Sequence, residues 1–208
     1  MKLTLHTFLT LDGVLQAPGG PNEDVDGGFP YGGWSFPYGD AEFGAAISGW
    51  FANAGAFLLG RRTYEIFAGH WPRMTDTDDP VASKLNALPK YVASNTLDTV
   101  SWNNSRLLRD VVTDVQKLKE QPGDELQVHG SGNLAHTLIE HDLVDEYRLL
   151  TFPVHLGVGK RLFPDGARAA ALRLVSSTTT SAGVVISTYV PDGDVKLGSY
   201  ELDEEEGA

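Results

Sequence analysis

Two stretches of this chain place free backbone amides, hydroxyls and guanidinium groups where an anion can be held. His129-Gly130-Ser131-Gly132-Asn133-Leu134-Ala135 reads Gly-x-Gly-x-x-Ala, directly after a short apolar strand and at the start of a helical pattern. There the unpaired N–H groups and positive end of a helix meet a backbone with little side-chain bulk, which suits a phosphate. Gly60-Arg61-Arg62-Thr63 opens another helix after another short strand. It sets two guanidinium groups, whose planar donor forks match phosphate, beside that helix end. A Rossmann site for NAD adds an acid about 20 residues further on to hold the ribose 2′-hydroxyl, and Leu150-Thr151-Phe152-Pro153 carries none. The basic pair and the missing acid together point to a 2′-phosphate, and so to NADP. Each motif alone has a plainer reading. The glycines serve a tight turn, and the arginines pair with Glu65 or with an acidic loop.

The acids suggest proton chemistry. Asp12 closes the first strand, and Asp40 and Glu42 open the first helix after Trp34-Ser35-Phe36-Pro37. All three are placed to border one cleft, and a carboxyl group in an apolar, aromatic cleft has a raised pKa and can pass a proton. The competing roles are N-capping for Asp40 and turn formation for Asp12. Other chemistry is not signalled. The six histidines fall into no tight ligand spacing, so no metal site is expected. Ser131 is not in a Gly-x-Ser-x-Gly elbow. Gly157-Val158-Gly159-Lys160 lacks the first glycine and the final Ser/Thr of a phosphate loop. With no cysteine there is no thiolate chemistry.

These groups need a scaffold, and the hydrophobic periodicity supplies one. Residues 2–11 alternate as a strand, and 16–40 form a long loop rich in Gly and Pro with an acidic patch at Glu23, Asp24 and Asp26. Residues 40–53 have helical spacing behind Asp40. Strands are expected at 56–59, 90–94, 125–129 and 147–152, with a weak extended segment near 101–108. Helices follow Gly60, Asp110 and Ser131-Gly132, and a hairpin spans 171–179 and 183–190. Repeated strand-turn-helix units argue for an α/β fold with one mixed sheet flanked by helices and an antiparallel C-terminal edge. Residues 1–192 are read as one domain and 193–208 as an acidic, frayed tail.

With 16 Lys+Arg against 28 Asp+Glu, the formal charge of −12 repels nucleic-acid backbones and anionic lipid. No stretch approaches the roughly 18 apolar residues of a membrane span, and the N-terminus alternates where a signal peptide would be continuously apolar. A cytoplasmic protein acting on a small molecule is expected, with neither nucleic acid nor membrane as partner.

The order Thr10-Leu11-Asp12-Gly13, Leu58-Leu59-Gly60-Arg61-Arg62-Thr63-Tyr64-Glu65, Lys90-Tyr91-Val92-Ala93-Ser94, Val128-His129-Gly130-Ser131-Gly132 and Leu143-Val144-Asp145-Glu146 resembles dihydrofolate reductase-like proteins. The branch it resembles is the reductase domain of the bifunctional riboflavin-biosynthesis deaminase-reductase. That resemblance implies a three-layer sandwich around a mostly parallel sheet of about eight strands, the last antiparallel, with NADPH across its carboxyl edge. It implies that Gly60, Arg61, Arg62 and Thr63 hold phosphates, that Ser94 lies near the adenosine 2′-phosphate, and that Gly130, Ser131, Gly132 and Asn133 face the pyrophosphate. In dihydrofolate reductases the matching glycine pair is joined by a cis peptide, so Gly130-Ser131 is expected to be cis or distorted, with Gly132 approaching the phosphates. The Trp-x-x-Pro-x-acid sequence of those enzymes is one residue longer here, from Trp34 to Asp40, and His129 stands where the riboflavin-pathway reductase has Glu. The reading is an NADPH-dependent reductase that delivers a hydride to a C=N or C=O bond of a small planar substrate stacked on Trp34. Asp12 and Asp40 are its candidate acids, and a homodimer with the tail outside the interface is expected. The alternative is a nucleotide- or small-ligand-binding protein that keeps the cleft without turnover.

Overall fold

A computed structural model describes residues 1–200; the acidic run at 201–206, central to the expected tail, lies outside the described residues. The chain opens with β1 (Leu3–Thr10), crosses the long loop to α1 (Ala41–Ala52), and continues as β2 (Ala54–Gly60), α2 (Arg61–His70), α3 (Pro80–Ala87), β3 (Lys90–Ala93), β4 (Ser105–Leu108) and α4 (Val111–Glu120). It closes with β5 (Glu125–His129), α5 (Gly132–Glu140), β6 (Glu146–Phe152), β7 (Leu172–Thr179) and β8 (Val185–Pro191). These form one eight-stranded sheet in the order β4-β3-β2-β5-β1-β6-β8-β7. The pairings from β4 across to β6 are parallel, and β8 is antiparallel to both β6 and β7. The expected α/β sandwich is the fold.

Burial explains the two outer layers. On one face Leu3, Leu5, Leu58, Leu126 and Val128 pack against Val115 and Leu118 of α4 and Leu134, Ala135 and Leu138 of α5. On the other, Phe57, Leu59 and Val92 meet Phe51 of α1, Tyr64 of α2 and Leu85 of α3. A third cluster joins Trp34 and Phe29 of the long loop to Leu150, Phe152 and Ile186. β2 is accordingly a near-continuous apolar run, as a sheet covered on both faces favours, whereas β1 and β5 alternate and bury Thr4, His6 and Gln127 on their second face.

Element boundaries fall within about two residues of the periodicity reading for the long, regular segments. The helix missing from that reading is α3. Its signal was present, because Asp79 precedes Pro80 at the first helical position and its carboxylate accepts from the amides of Val81 and Ala82. At eight residues, little more than two turns, the element is too short to show a clear helical period.

Because β1, β2, β3, β5 and β6 all run the same way, their carboxyl ends form one edge. That edge gathers Asp12, Gly60, Ser94, Gly130 and Pro153 from five separate parts of the sequence. In open α/β sheets this is where ligands bind.

Candidate functional site

The turns after β2 and β5 interlock at that edge. The Ser131 Oγ accepts from the Gly60 amide at 3.0 Å and lies 2.9 Å from Thr63 Oγ1, to which it donates. Gly60 packs directly against this turn, where a Cβ on it would stand 3.4 Å from the Cβ of Ser131, an ordinary contact. Ser131 is held at φ 58° and Gly130 at φ 56°. A left-handed serine costs on the order of 1 kcal/mol or more and persists only where the surroundings impose it. Here the hydroxyl's two neighbours across the turn do so. The peptide between Gly130 and Ser131 is trans, as are all those among the described residues, so the cis expectation is corrected. The distortion is in φ instead.

Capping separates the two helices at this junction from the other three. Asp40, Asp79 and Asp110 cap α1, α3 and α4 with their carboxylates, whereas α2 and α5 have no side-chain cap hydrogen bond at all. Ser131, the residue in position to cap α5, spends its hydroxyl on the neighbouring turn. The first-turn amides of both helices are thus left to other acceptors, with the positive ends of two helix dipoles converging. Arg61, Arg62 and Asn133 are exposed there. Gly132 does not offer the open space expected of it, since a Cβ on it would stand 3.1 Å from Leu15 Cδ1. Ser94, at the end of β3, is buried, and its hydroxyl accepts from the amides of Thr96 and Leu97 at 3.2 and 3.0 Å.

Both plainer roles of the arginines are also realised. Arg61 lies 3.7 Å from Glu65, and Arg62 pairs with Asp24 and with both carboxylate oxygens of Asp26, at 2.6 and 2.9 Å. Lys160, from the loop after β6, reaches the same two carboxylates at 2.7 and 2.8 Å. Gln16, buried beneath, donates to the backbone carbonyls of Asp24 and Asp26 and accepts from the Lys160 amide. Lys160 and Gln16 carried no usable signal in the sequence. Their partners lie up to 144 residues away.

The candidate acids are not poised to donate protons. Burial pushes the Asp12 carboxyl up, but hydrogen bonds from the Thr10 hydroxyl and the Gly157 and Leu156 amides outweigh it and hold the group down at about 2. Its carboxylate ties the end of β1 to the loop after β6, with Arg161 at 3.3 Å. Asp40 caps α1 through the Phe43 amide, which is the main reason that its pKa is also lowered to about 2, and it accepts from the Ala182 amide in the β7–β8 turn. The expectation of a raised pKa is corrected for both. Asp40 belongs to the β6–β8 side of the edge, away from the Gly60–Ser131 junction. Trp34 is buried, edge-on to Phe152 at 5.3 Å, with its indole N–H donated to the Gln16 carbonyl. It is a packing residue, with no open face for a substrate.

Asp12 should therefore govern stability. Asp12→Asn is expected to cost about 1–3 kcal/mol at pH 7, the usual range for breaking hydrogen bonds to a charged group. Because the folded pKa is depressed below the unfolded value of about 3.9, the contribution is complete above pH 4 and fades as pH falls toward 2. Urea unfolding of the two proteins at pH 7, 5 and 3 should show the gap shrinking at the lowest pH. A gap of equal size at pH 3 would refute the carboxylate clamp.

Beside this edge a cavity of about 580 Å³ opens between residues 26–31 and 158–160, lined among others by Gln16, Asp26, Phe29, Tyr31 and Lys160. Its size is that of a small-molecule site. Among the described residues no cluster of three or more potential metal ligands occurs, and no helix is long and apolar enough to cross a membrane.

Comparison with known proteins gives one consistent family. The family model of the RibD C-terminal domain matches residues 1–186. The uncharacterised protein YyaP of Bacillus subtilis (strain 168) is 30% identical over 191 residues, covering 90% of this chain and 94% of that protein. Among solved structures, a candidate riboflavin biosynthesis protein of Shewanella sp. PV-4 superposes with a TM-score of 0.64 at 20% identity, covering 92% of this chain and 99% of that one. A pyrimidine reductase-like protein of Corynebacterium diphtheriae gives 0.61 at 12% identity, covering 93% and 92%. At such identities the two structures speak for the shared fold.

Proposed function

The chain belongs to the RibD C-terminal domain family, and from that premise we propose that it is an NADPH-dependent reductase acting on a C=N or C=O bond of a small planar heterocycle. The observation that carries this reading is the junction of α2 and α5, where two uncapped helix N-termini, Thr63, Arg61 and Arg62 converge at the carboxyl edge of a parallel sheet. This donor set fits the phosphates of a dinucleotide, and the cationic fork of Arg62 suits a 2′-phosphate better than a ribose hydroxyl. Gly60, Gly130, Ser131, Gly132 and Asn133 form the turns around it, and Ser94 sits at the end of the next strand.

NADPH, when bound, supplies the hydride. The chain supplies placement. The 580 Å³ cavity, with Phe29 and Tyr31 on its wall, replaces Trp34 as the substrate site in this reading. Asp12 and Asp40 are ionised near neutral pH and serve to fix the surrounding loops. His6 and His129 are held neutral, chiefly by burial. The proton that completes the reduction is therefore drawn from water at the open edge.

Leu15 over Gly132 and the engaged acids favour a second reading, a binding protein that keeps the cleft without turnover. Loss of NADPH absorbance on addition of pterin- or pyrimidine-type substrates supports the reductase. Saturable NADPH binding without oxidation across such a panel would favour the binding protein.

A homodimer is part of the proposal. At the sheet's edge β7 leaves Leu174 and Val175 about half exposed, a surface that a second copy can cover. Light scattering should give about twice the chain mass of 22.5 kDa; the chain mass itself would refute it.

A further inference from the structure

The cations that make this edge attractive to phosphate already have occupants, supplied by the long loop between β1 and α1. Arg62 offers its fork to Asp26 through both terminal nitrogens and pairs with Asp24 through one. Lys160, from the opposite side of the edge, closes on the same two carboxylates. Two carboxylates held between a guanidinium and an ammonium reproduce the charge and acceptor pattern that a phosphate would present. We propose that residues 23–28 form a self-competing strap, in which Asp24 and Asp26 stand on Arg62 and Lys160 in place of a ligand phosphate and must leave Arg62 for NADPH to seat. This rests on the cofactor reading above.

The strap is built to be released. Arg62 and Asp26 side chains retain 42% and 50% exposure, and ion pairs this exposed are individually weak and screened by salt. A phosphate that gains the Arg62 fork together with the free first-turn amides of α2 has more to offer than carboxylates on Arg62 alone. The carboxylates are followed by Gly27 at φ 65° and Gly28 at φ 72°, with no atom within 4 Å of where a Cβ would stand on either. Swinging these positions meets no side-chain packing at the two glycines, and it costs the two hydrogen bonds that buried Gln16 donates to the Asp24 and Asp26 carbonyls. The other end of the strap is anchored. Glu23 accepts from the Gly19 and Gly20 amides, and Trp34 and Ser35 bond to the carbonyls of Gln16 and Pro18. Opening is thus confined to the segment carrying the two aspartates. While it is closed, the apparent affinity for the cofactor is lowered by the fraction of molecules that are open.

The test is a fluorescence titration with NADPH of the full chain, the double variant D24N/D26N, and a control, D76N/D78N. The control removes the same charge from an exposed turn after α2 that touches neither cation. The double variant is expected to bind about tenfold more tightly and the control to change less than twofold. Hydrogen exchange on the unaltered protein should show 23–28 exchanging faster, and 61–63 more slowly, when NADPH is added. Equal affinity in all three proteins, or weaker binding in D24N/D26N, would overturn the strap while leaving the cofactor site intact. Absence of NADPH binding to any of them would overturn the cofactor reading and the strap with it. Circular dichroism establishes that each variant is folded, and D26N alone, altering an exposed side chain, serves if the double variant is not.

Discussion

Arg62→Ala is expected to weaken NADPH binding by about tenfold or more and NADH binding by much less. A charge-assisted hydrogen bond to a phosphate is worth about 1.5–3 kcal/mol, and Arg62 is the guanidinium at the α2 N-terminus with no partner in its own helix. Arg61 is a weaker candidate because Glu65 lies one helical turn away on the same face. The variant also leaves Asp24 and Asp26 with Lys160 as their remaining cation, which adds repulsion toward an incoming anion and drives the effect in the same direction. Arg62→Lys should recover part of the loss, because the charge remains while the planar fork is gone. Parallel titrations with NADPH and NADH decide the matter. An unchanged NADPH affinity in Arg62→Ala would place the 2′-phosphate elsewhere, and equal affinities of the unaltered protein for both nucleotides would remove the case for NADP.

Phe152→Ala is expected to cost about 3–5 kcal/mol of stability, the range for truncating a fully buried aromatic ring. Phe152 has no solvent exposure, and its ring lies 5.3–6.0 Å from those of Phe8, Trp34, Tyr38 and Phe43. Four rings in edge-on and tilted contact leave little room for the cavity to collapse. Since Trp34 and Tyr38 belong to the long loop, the loss should loosen the anchored end of that loop as well as the sheet. Urea unfolding gives the magnitude, and hydrogen exchange across residues 29–38 gives the location. A cost below 1 kcal/mol would mean that the cluster repacks freely and does not fix the loop.

The pairing of the loop acids shows where sequence reading reaches its limit. Periodicity and turn chemistry determined β1, α1, β2, α2, β3, α4, β5, α5, β6 and the β7–β8 hairpin, because each depends on residues within a turn or two of one another. The same local logic placed Gly60 to Thr63 and Gly130 to Asn133 at helix starts, and it supplied the Asp40 cap as one of its two alternatives. It could equally supply the plainer partner of Arg61, since Glu65 is four residues away.

Tertiary structure decided the rest. Whether Asp12 holds a proton depends on amides from residues 156 and 157, and whether Trp34 is a platform or a core residue depends on Phe152 and the Gln16 carbonyl. Arg62 meets Asp24 and Asp26 across 38 and 36 residues, and Lys160 meets them across 136 and 134. Such contacts are fixed by loop closure over a finished sheet. A carboxylate's neighbours set its pKa, so the chemistry of the acids could not precede the packing that chose those neighbours. Local residue order sets which groups are available at the carboxyl edge. The order β2-β5-β1-β6 determined which of them face one another, because parallel strands distant in the chain become neighbours only when the sheet is assembled.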